Sequence, residues 1–347
     1  MSRIAVVTSS PPFSEGGHLV IARSLVEALR EAGHEADLVT TPQNRFGRQA
    51  SAYLATWLTD VGLDALGRPI DQIITLRFPS YAARHPRHVC WLNHTMREYY
   101  DLWPRLVAGL GRKGRLKEAV RRRLIHAADR YLLSRNVTRL FVQSETIRRR
   151  LEAIGPLDAT VLYPPPPPRP YRCDGYGDFI LAVSRLTPLK RFDLLIRALA
   201  EPEAAGVRLV IAGDGEQRAE LEALARAMSV ERRVRFVGRV DGPALVEHLA
   251  RCAAVAFVPF QEDYGFVTVE AFAAAKAVVT CRDSGGPAEL VRDGLHGFVT
   301  DPEPAAVARA LGALAGDRLL AERMGQAARA VVENMSWQAV VSRLVLS

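Results

Sequence analysis

The segment Glu262-Asp-Tyr-Gly-Phe-Val-Thr-Val-Glu270 carries two carboxylates in a layout suited to recognising hydroxyl groups. Gly265 permits a turn with exposed backbone, and the apolar run after it predicts a helix over about 267–275. Glu262 then precedes the helix and Glu270 falls about one turn inside it. Between them Tyr264, Gly265, Phe266 and Val267 offer backbone N–H groups that lack partners within the helix. Carboxylates accept hydrogen bonds from vicinal hydroxyls in pairs, and free N–H groups at a helix start suit a phosphate. The plainer reading of the same residues has Glu270 complementing the helix dipole and Glu262 solvated.

A second group of residues could handle anionic charge. Arg185 and Lys190 bracket the Thr187-Pro188 turn. Residues 178–184 read as a strand, which places both cations at its carboxyl end beside a helix start, where together they would neutralise a diphosphate. Surface solvation of the pair is the alternative. Gly16 and Gly17, in the first loop between a strand and a helix, let backbone approach a ligand, or else form an ordinary turn. Gly109-Leu-Gly-Arg-Lys-Gly114 matches the spacing of a dinucleotide loop. It follows a predicted helix at 103–108 rather than a strand, and it reads as a basic loop.

These residues need a scaffold. Hydrophobic residues make up 48% of the 347 and charged residues 24%, which excludes collagen-like, disordered and disulfide-framework proteins. Cys90, Cys173, Cys252 and Cys281 are far apart with no C-x-x-C, and a reducing cytoplasm is the expected compartment. Strand runs at 3–8, 35–41, 72–78, 88–93 and 138–143 alternate with helical patterns. After the proline-rich run 163–168, alternation restarts at 178–184 and continues through 207–213, 234–238, 254–260 and 277–281, ending in three amphipathic helical segments. Proline cannot donate to a ladder and favours extended backbone, so the run reads as a stiff connector. The expected architecture is α/β, with two doubly wound Rossmann-like domains at 1–165 and 166–347 facing across a cleft, and a last helix able to cross back to the first.

At this point the residues resemble a known family. The stretch EDYGFVTVEAFAAAKAVVTCRDSGGPAELVRDGLHGFV is similar to the donor-binding segment of glycosyltransferase family 4, retaining enzymes of the GT-B fold, including their E-x7-E motif. SRLTPLKRFDLLIRAL resembles that family's Arg/Lys phosphate-binding stretch, VIAGDGEQ its following strand and turn, and NHTMREYYD the loop that supplies an active-site histidine. Met96 stands where proline is frequent in that loop. The resemblance implies that Arg185 and Lys190 hold the donor diphosphate, that Glu270 receives the ribose hydroxyls, and that Glu262 with the backbone of Tyr264–Val267 holds the transferred sugar. It implies that His94 contacts the sugar near the reacting carbon, and that the early glycine pair lines the first loop. Backbone around 238–240, with Arg239 and Val240, is expected to face the nucleotide base. No cofactor is implied beyond a nucleoside diphosphate sugar as donor substrate. No metal site is expected either, because the sequence has no D-x-D and no H-E-x-x-H.

The implied activity is transfer of a hexose, mannose or glucose first among candidates, with retention of configuration, to a glycan or lipid-linked acceptor in polysaccharide biosynthesis. A nucleotide-sugar epimerase or hydrolase of the same architecture, and a catalytically silent binding module, are the competing readings. Charge adds a further expectation: residues 105–150 contain 14 Lys and Arg against 3 Asp and Glu. Within them, 112–133 combine cations with Leu116, Ala119, Val120, Leu124 and Ile125. That pattern fits a helix lying on an anionic membrane surface, a site attracting a soluble anionic acceptor, or a helix packing its apolar stripe on the sheet with arginines in water. No motif supports nucleic acid as a partner. The expected location is cytoplasmic, with peripheral attachment to the inner face of a membrane as the extension of the first of those readings.

Overall fold

The computed structural model describes residues 1–11, 16–42 and 47–346. The chain divides into two compact units, Met1–Pro164 with Ser336–Ser347, and Pro165–Met335. The division falls inside the proline run, and the last residues of the chain belong with the first unit.

The first unit runs β1 (Arg3–Ser10), α1 (Gly17–Glu31), β2 (Glu35–Pro42), α2 (Gln49–Leu58), β3 (Gln72–Arg77), β4 (His88–His94), α3 (Trp103–Ala108), α4 (Arg112–Arg135), β5 (Arg139–Val142), α5 (Glu145–Leu151) and β6 (Ala159–Val161). Its strands form one parallel sheet in the order β2-β1-β3-β4-β5-β6. The inner strands are apolar on both faces, with Val6, Val7, Ile73, Ile74 and Trp91 sealed from solvent, as a sheet covered on both sides by helices requires.

The second unit repeats the plan with β7 (Ile180–Val183), α6 (Phe192–Leu199), β8 (Leu209–Ala212), α7 (Arg218–Ala227), β9 (Val234–Gly238), α8 (Gly242–Arg251), β10 (Ala254–Ala256), α9 (Phe266–Ala273), β11 (Val278–Cys281), α10 (Gly286–Leu290), β12 (Gly297–Thr300), α11 (Pro304–Gly316) and α12 (Arg318–Glu333). Its parallel sheet has the order β12-β11-β10-β7-β8-β9. The chain winds outward from β7 in one direction, then returns to β10 and winds outward in the other. The carboxyl ends of β7 and β10 therefore flank the point of reversal, where such sheets leave a crevice for ligands. The final helix, α13 (Trp337–Leu344), joins the first unit. Trp337 meets Trp91 edge-on at 6.1 Å, and the Gln72 side chain donates to the Leu344 carbonyl at 2.7 Å and accepts from the Leu346 N–H at 2.8 Å.

Helix α4 departs from a simple amphipathic pattern. Its buried face is Glu118, Ile125, Asp129, Leu132 and Leu133, while Leu116 (70%), Val120 (50%) and Leu124 (66%) stand exposed. The expected apolar stripe is thus split: Ile125 packs inward, Ala119 is half-buried, and the other three face solvent. Polar pairing explains the inward carboxylates. Glu118 accepts from the Tyr99 hydroxyl and the Arg121 guanidinium, both at 2.8 Å. Asp129, fully sealed from solvent, accepts from the hydroxyls of Tyr53, Tyr81 and Tyr100.

Burial raises the Asp129 carboxyl from an ordinary 3.8 to about 6, against the lowering effect of the tyrosine hydrogen bonds. A folded state that binds this proton more tightly than the unfolded chain gains stability that is complete below the ordinary value and lost as pH rises through about 6. The loss is on the order of 3 kcal/mol. Urea titrations at pH 4, 5, 6 and 7 check this. The stability of Asp129→Asn should rise relative to the parent protein across that window. A difference that does not change with pH would place the ionisation elsewhere.

Candidate functional site

Three loops converge at the carboxyl ends of β7, β10 and β11. The first leaves β7 through Arg185 and Leu186, turns at Pro188–Lys190, and enters α6 through Arg191, whose backbone is left-handed (φ 51). The Arg191 guanidinium fixes this turn in place. It donates to the carbonyls of Val258 (2.7 Å) and Pro259 (2.8 Å) and makes a two-pronged bond to Asp283 at 2.7 and 2.8 Å. With Arg191 committed to the scaffold, Lys190 is aimed elsewhere. Its ammonium donates to Glu262 Oε2 at 2.6 Å and lies 5.4 Å from the centre of the Phe257 ring. Arg185 is exposed, and among the described residues no salt bridge engages it.

The second loop is the 261–265 segment after β10. The Glu262 N–H donates to the Ser284 carbonyl (2.8 Å), and the Glu262 carbonyl accepts from the Gly286 N–H (2.9 Å). The third loop, Ser284–Gly285–Gly286–Pro287, lies so close that a Cβ on Gly286 would fall 2.6 Å from the Tyr264 backbone. Gly265 caps α9 in a left-handed conformation (φ 83), and a Cβ there would meet Phe257 and Pro287 at 2.8 Å. Tyr264 is buried against the edge of Phe266 (5.3 Å between ring centres), and Phe266 and Val267 are half-buried at the helix start.

Glu270 lies one turn into α9, as the spacing predicts, with its side chain 7% exposed. It is already engaged. Its Oε1 accepts from the Arg169 guanidinium and from the Tyr171 hydroxyl (3.0 Å). Burial raises its carboxyl above the usual range, while the Arg169 charge and the two hydrogen bonds pull it down. Arg239 is exposed and Val240 half-buried in the turn between β9 and α8.

The remaining expected site residues belong to the first unit. His94 ends β4, where its carbonyl accepts from the Phe78 N–H at 3.0 Å. Met96 is buried just beyond it. Gly16 caps α1 in extended backbone, its carbonyl accepting from the Leu19 N–H at 3.0 Å, and Gly17 is the first residue of that helix. Part of the preceding loop, 12–15, lies outside the described residues.

The structure brings Lys190, Glu262, Gly265, Phe266, Val267 and Glu270 to one neighbourhood. Arg169, Tyr171 and Arg191 join it without a signal in the local sequence. Arg191 stood next to a chosen lysine and carried no separate signal. Arg169 sits about a hundred residues from its partner, and only its position directly after the proline run set it apart. Among the described residues, no group of three or more His, Cys, Asp or Glu is placed to hold a metal ion.

Two doubly wound parallel sheets, the second with cations and a helix start at its reversal point, define the GT-B class of α/β fold. Within it, residues 171–331 match the family model described as Glycosyl transferases group 1, so the second unit is a domain of that family. D-inositol 3-phosphate glycosyltransferase of Nocardia farcinica is 37% identical over 172 residues, covering 46% of this chain and 38% of that protein. The chain spans about two fifths of the length of the first curated relatives it matches. Among solved structures, sucrose-phosphate synthase of Thermosynechococcus elongatus superposes with a TM-score of 0.75 at 17% identity, covering 98% of this chain and 97% of that one. Anabaena HepE in complex with UDP and glucose gives 0.67 at 18% identity over 98% of both chains. At these identities the likeness is one of fold.

Proposed function

We propose that this chain is a retaining glycosyltransferase that moves a hexose, glucose or mannose first among candidates, from a nucleoside diphosphate sugar to a glycan or lipid-linked acceptor. The observation that carries the reading is the Lys190–Glu262 pair beside the start of α9, at the point where the second sheet reverses. A cation with a single carboxylate partner can turn to a diphosphate, and Glu262 is then released to accept from sugar hydroxyls. Arg185 and the Gly265–Val267 backbone complete the anionic site, and Glu270 takes the ribose. The turn at Arg239 and Val240 faces the base. Charge neutralisation of the leaving diphosphate by such donors supplies on the order of 3 kcal/mol each in a water-poor site. No base or nucleophile is assigned: the leaving phosphate takes the acceptor's proton on the face it departs from. The first unit is assigned to the acceptor.

A thermal-shift panel of UDP, GDP, ADP and their hexose conjugates tests the donor, followed by product analysis with the anomeric configuration read by NMR. Stabilisation by one nucleotide and its sugar, with an α-linked product from an α-linked donor, is the expected result. An inverted product, or full turnover of donor to free or isomerised sugar without acceptor, would overturn it.

The exposed Leu116, Val120 and Leu124 on a helix rich in Lys and Arg favour attachment of residues 112–133 to an anionic membrane surface. A cavity of about 810 Å³ beside them, lined by Tyr53, Leu54, Trp57, Val120 and Leu124 among others, extends the apolar area between α2 and α4. Among the described residues no helix is long and apolar enough to cross a membrane. Vesicles with phosphatidylglycerol should sediment the protein, and vesicles of phosphatidylcholine alone should not. Serine at all three positions should weaken binding by tenfold or more, since each buried apolar side chain contributes about 1.5 kcal/mol or more. Equal retention by both vesicle types would remove the membrane assignment.

A further inference from the structure

The segment Arg169–Pro170–Tyr171 approaches the nucleotide side of the second unit from far away in sequence. The Tyr171 N–H donates to the Arg169 carbonyl at 2.8 Å, a three-residue turn centred on Pro170. Proline's fixed φ suits the centre of such a turn. The turn brings the guanidinium of Arg169 and the hydroxyl of Tyr171 to one atom, Glu270 Oε1. The other side of Arg169 faces the first residue of α8: a Cβ on Gly242 would lie 3.6 Å from Arg169 Nε. The guanidinium thus stands between the carboxylate assigned to the ribose and the turn assigned to the base.

A buried carboxylate would lose its charge without a cation, and it would rotate freely without fixed donors. Arg169 and Tyr171 answer both needs. Both of their bonds fall on Oε1, which leaves Oε2 as the oxygen to be presented to a ligand. Burial and the neighbouring Glu270 charge also hold the Tyr171 hydroxyl well above its ordinary value, so it remains a donor.

We propose that Arg169 and Tyr171 are positioning residues for nucleotide binding, holding Glu270 ionised and oriented so that Oε2 accepts from the ribose hydroxyls. The inference rests on the proposed assignment of Glu270 to the ribose. It assigns the pair to the sugar of the nucleotide rather than to the hexose or the diphosphate.

The test compares calorimetric affinities of UDP, GDP and ADP with those of their 2′-deoxy forms, taking the nucleotide that binds most tightly to the full-length protein. The parent should prefer the ribose form by about tenfold, the worth of a hydrogen bond to a charged group. Arg169→Ala and Tyr171→Phe should bring that ratio toward one, with Arg169→Lys retaining part of it. In Arg169→Ala the ribose preference should also decline as pH falls, because Glu270 then takes up a proton more readily; the parent should change less. Melting curves accompany each variant, and Tyr171→Phe, which removes one oxygen, keeps the test open if Arg169→Ala does not fold.

If Glu270→Ala abolishes the ribose preference while Arg169→Ala and Tyr171→Phe keep it, the positioning role is overturned and the ribose assignment stands. If Glu270→Ala itself keeps the preference, the ribose assignment fails. Tighter nucleotide binding by Arg169→Ala would make the arginine a competitor for the carboxylate, which also overturns the proposal.

Discussion

Lys190→Ala is expected to lower turnover by two to three orders of magnitude, about the cost of removing one preorganised donor from a developing charge. Donor affinity should fall by less than tenfold. In the proposed site the ground-state diphosphate has Arg185 and the α9 backbone as its other partners, whereas the charge added on departure needs a cation at the leaving oxygen. Stability should change little. The Lys190–Glu262 pair is 14% and 22% exposed, and the turn that carries Lys190 is fixed by Arg191 rather than by the lysine. Steady-state kinetics with saturating donor separate the two effects. A loss confined to donor affinity, with turnover unchanged, would remove Lys190 from the transition state. Lys190→Arg keeps the charge but presents a planar fork in place of a compact ammonium, so partial recovery is expected.

The ease of reading this chain differed sharply between its two units. In the second, five of the six strands are short apolar runs, and the loops after β7 and β10 carry their own chemistry. The loops that carry Lys190 and Glu262 meet at the ends of β7 and β10, where the ammonium donates to the carboxylate, and Arg185 stays exposed beside them. Two edge strands escaped: β12, from Gly297 to Thr300, and β6, from Ala159 to Val161, are mostly half-buried at the rims of their sheets, so no sealed apolar run marks them. The contacts that finish the site were hidden for a different reason. Arg169 and Tyr171 reach Glu270 across 101 and 99 residues, and no local pattern encodes a long-range ion pair. In the first unit, the buried Asp129 shows the limit of hydropathy. A charged residue on a basic helix reads as solvent-facing until the three tyrosines from α2 and the loops after β3 and β4 are seen to meet it. The outward Leu116, Val120 and Leu124 are the complementary surprise, since the helix spends its inward positions on Glu118 and Asp129.

Gly285→Ala should abolish activity more completely than any single charge removal, because it acts on the backbone that seats Glu262 and the 261–265 loop of the proposed donor site. Gly285 has φ 74 and ψ −127, a region almost closed to residues with a Cβ, at a cost of about 1–3 kcal/mol. Its Cβ would also fall 2.5 Å from the Glu262 carbonyl oxygen and 2.9 Å from the Glu262 nitrogen. Those are backbone atoms, and no rotamer can relieve the clash. The bridge between Glu262 and Gly285 has to open, and with it the bond from Gly286 N–H to the Glu262 carbonyl. Glu262 then leaves Lys190, and Gly265 loses its seat against Pro287. Gly294→Ala supplies the control: that glycine also has positive φ (73), but nothing lies within 4 Å of its added Cβ. It should lower the melting temperature through backbone strain alone and leave turnover near that of the parent. A Gly285→Ala protein that melts and turns over like Gly294→Ala would show that the 262–265 segment keeps its place without the close contact, and that the donor site does not depend on this crossing of two loops.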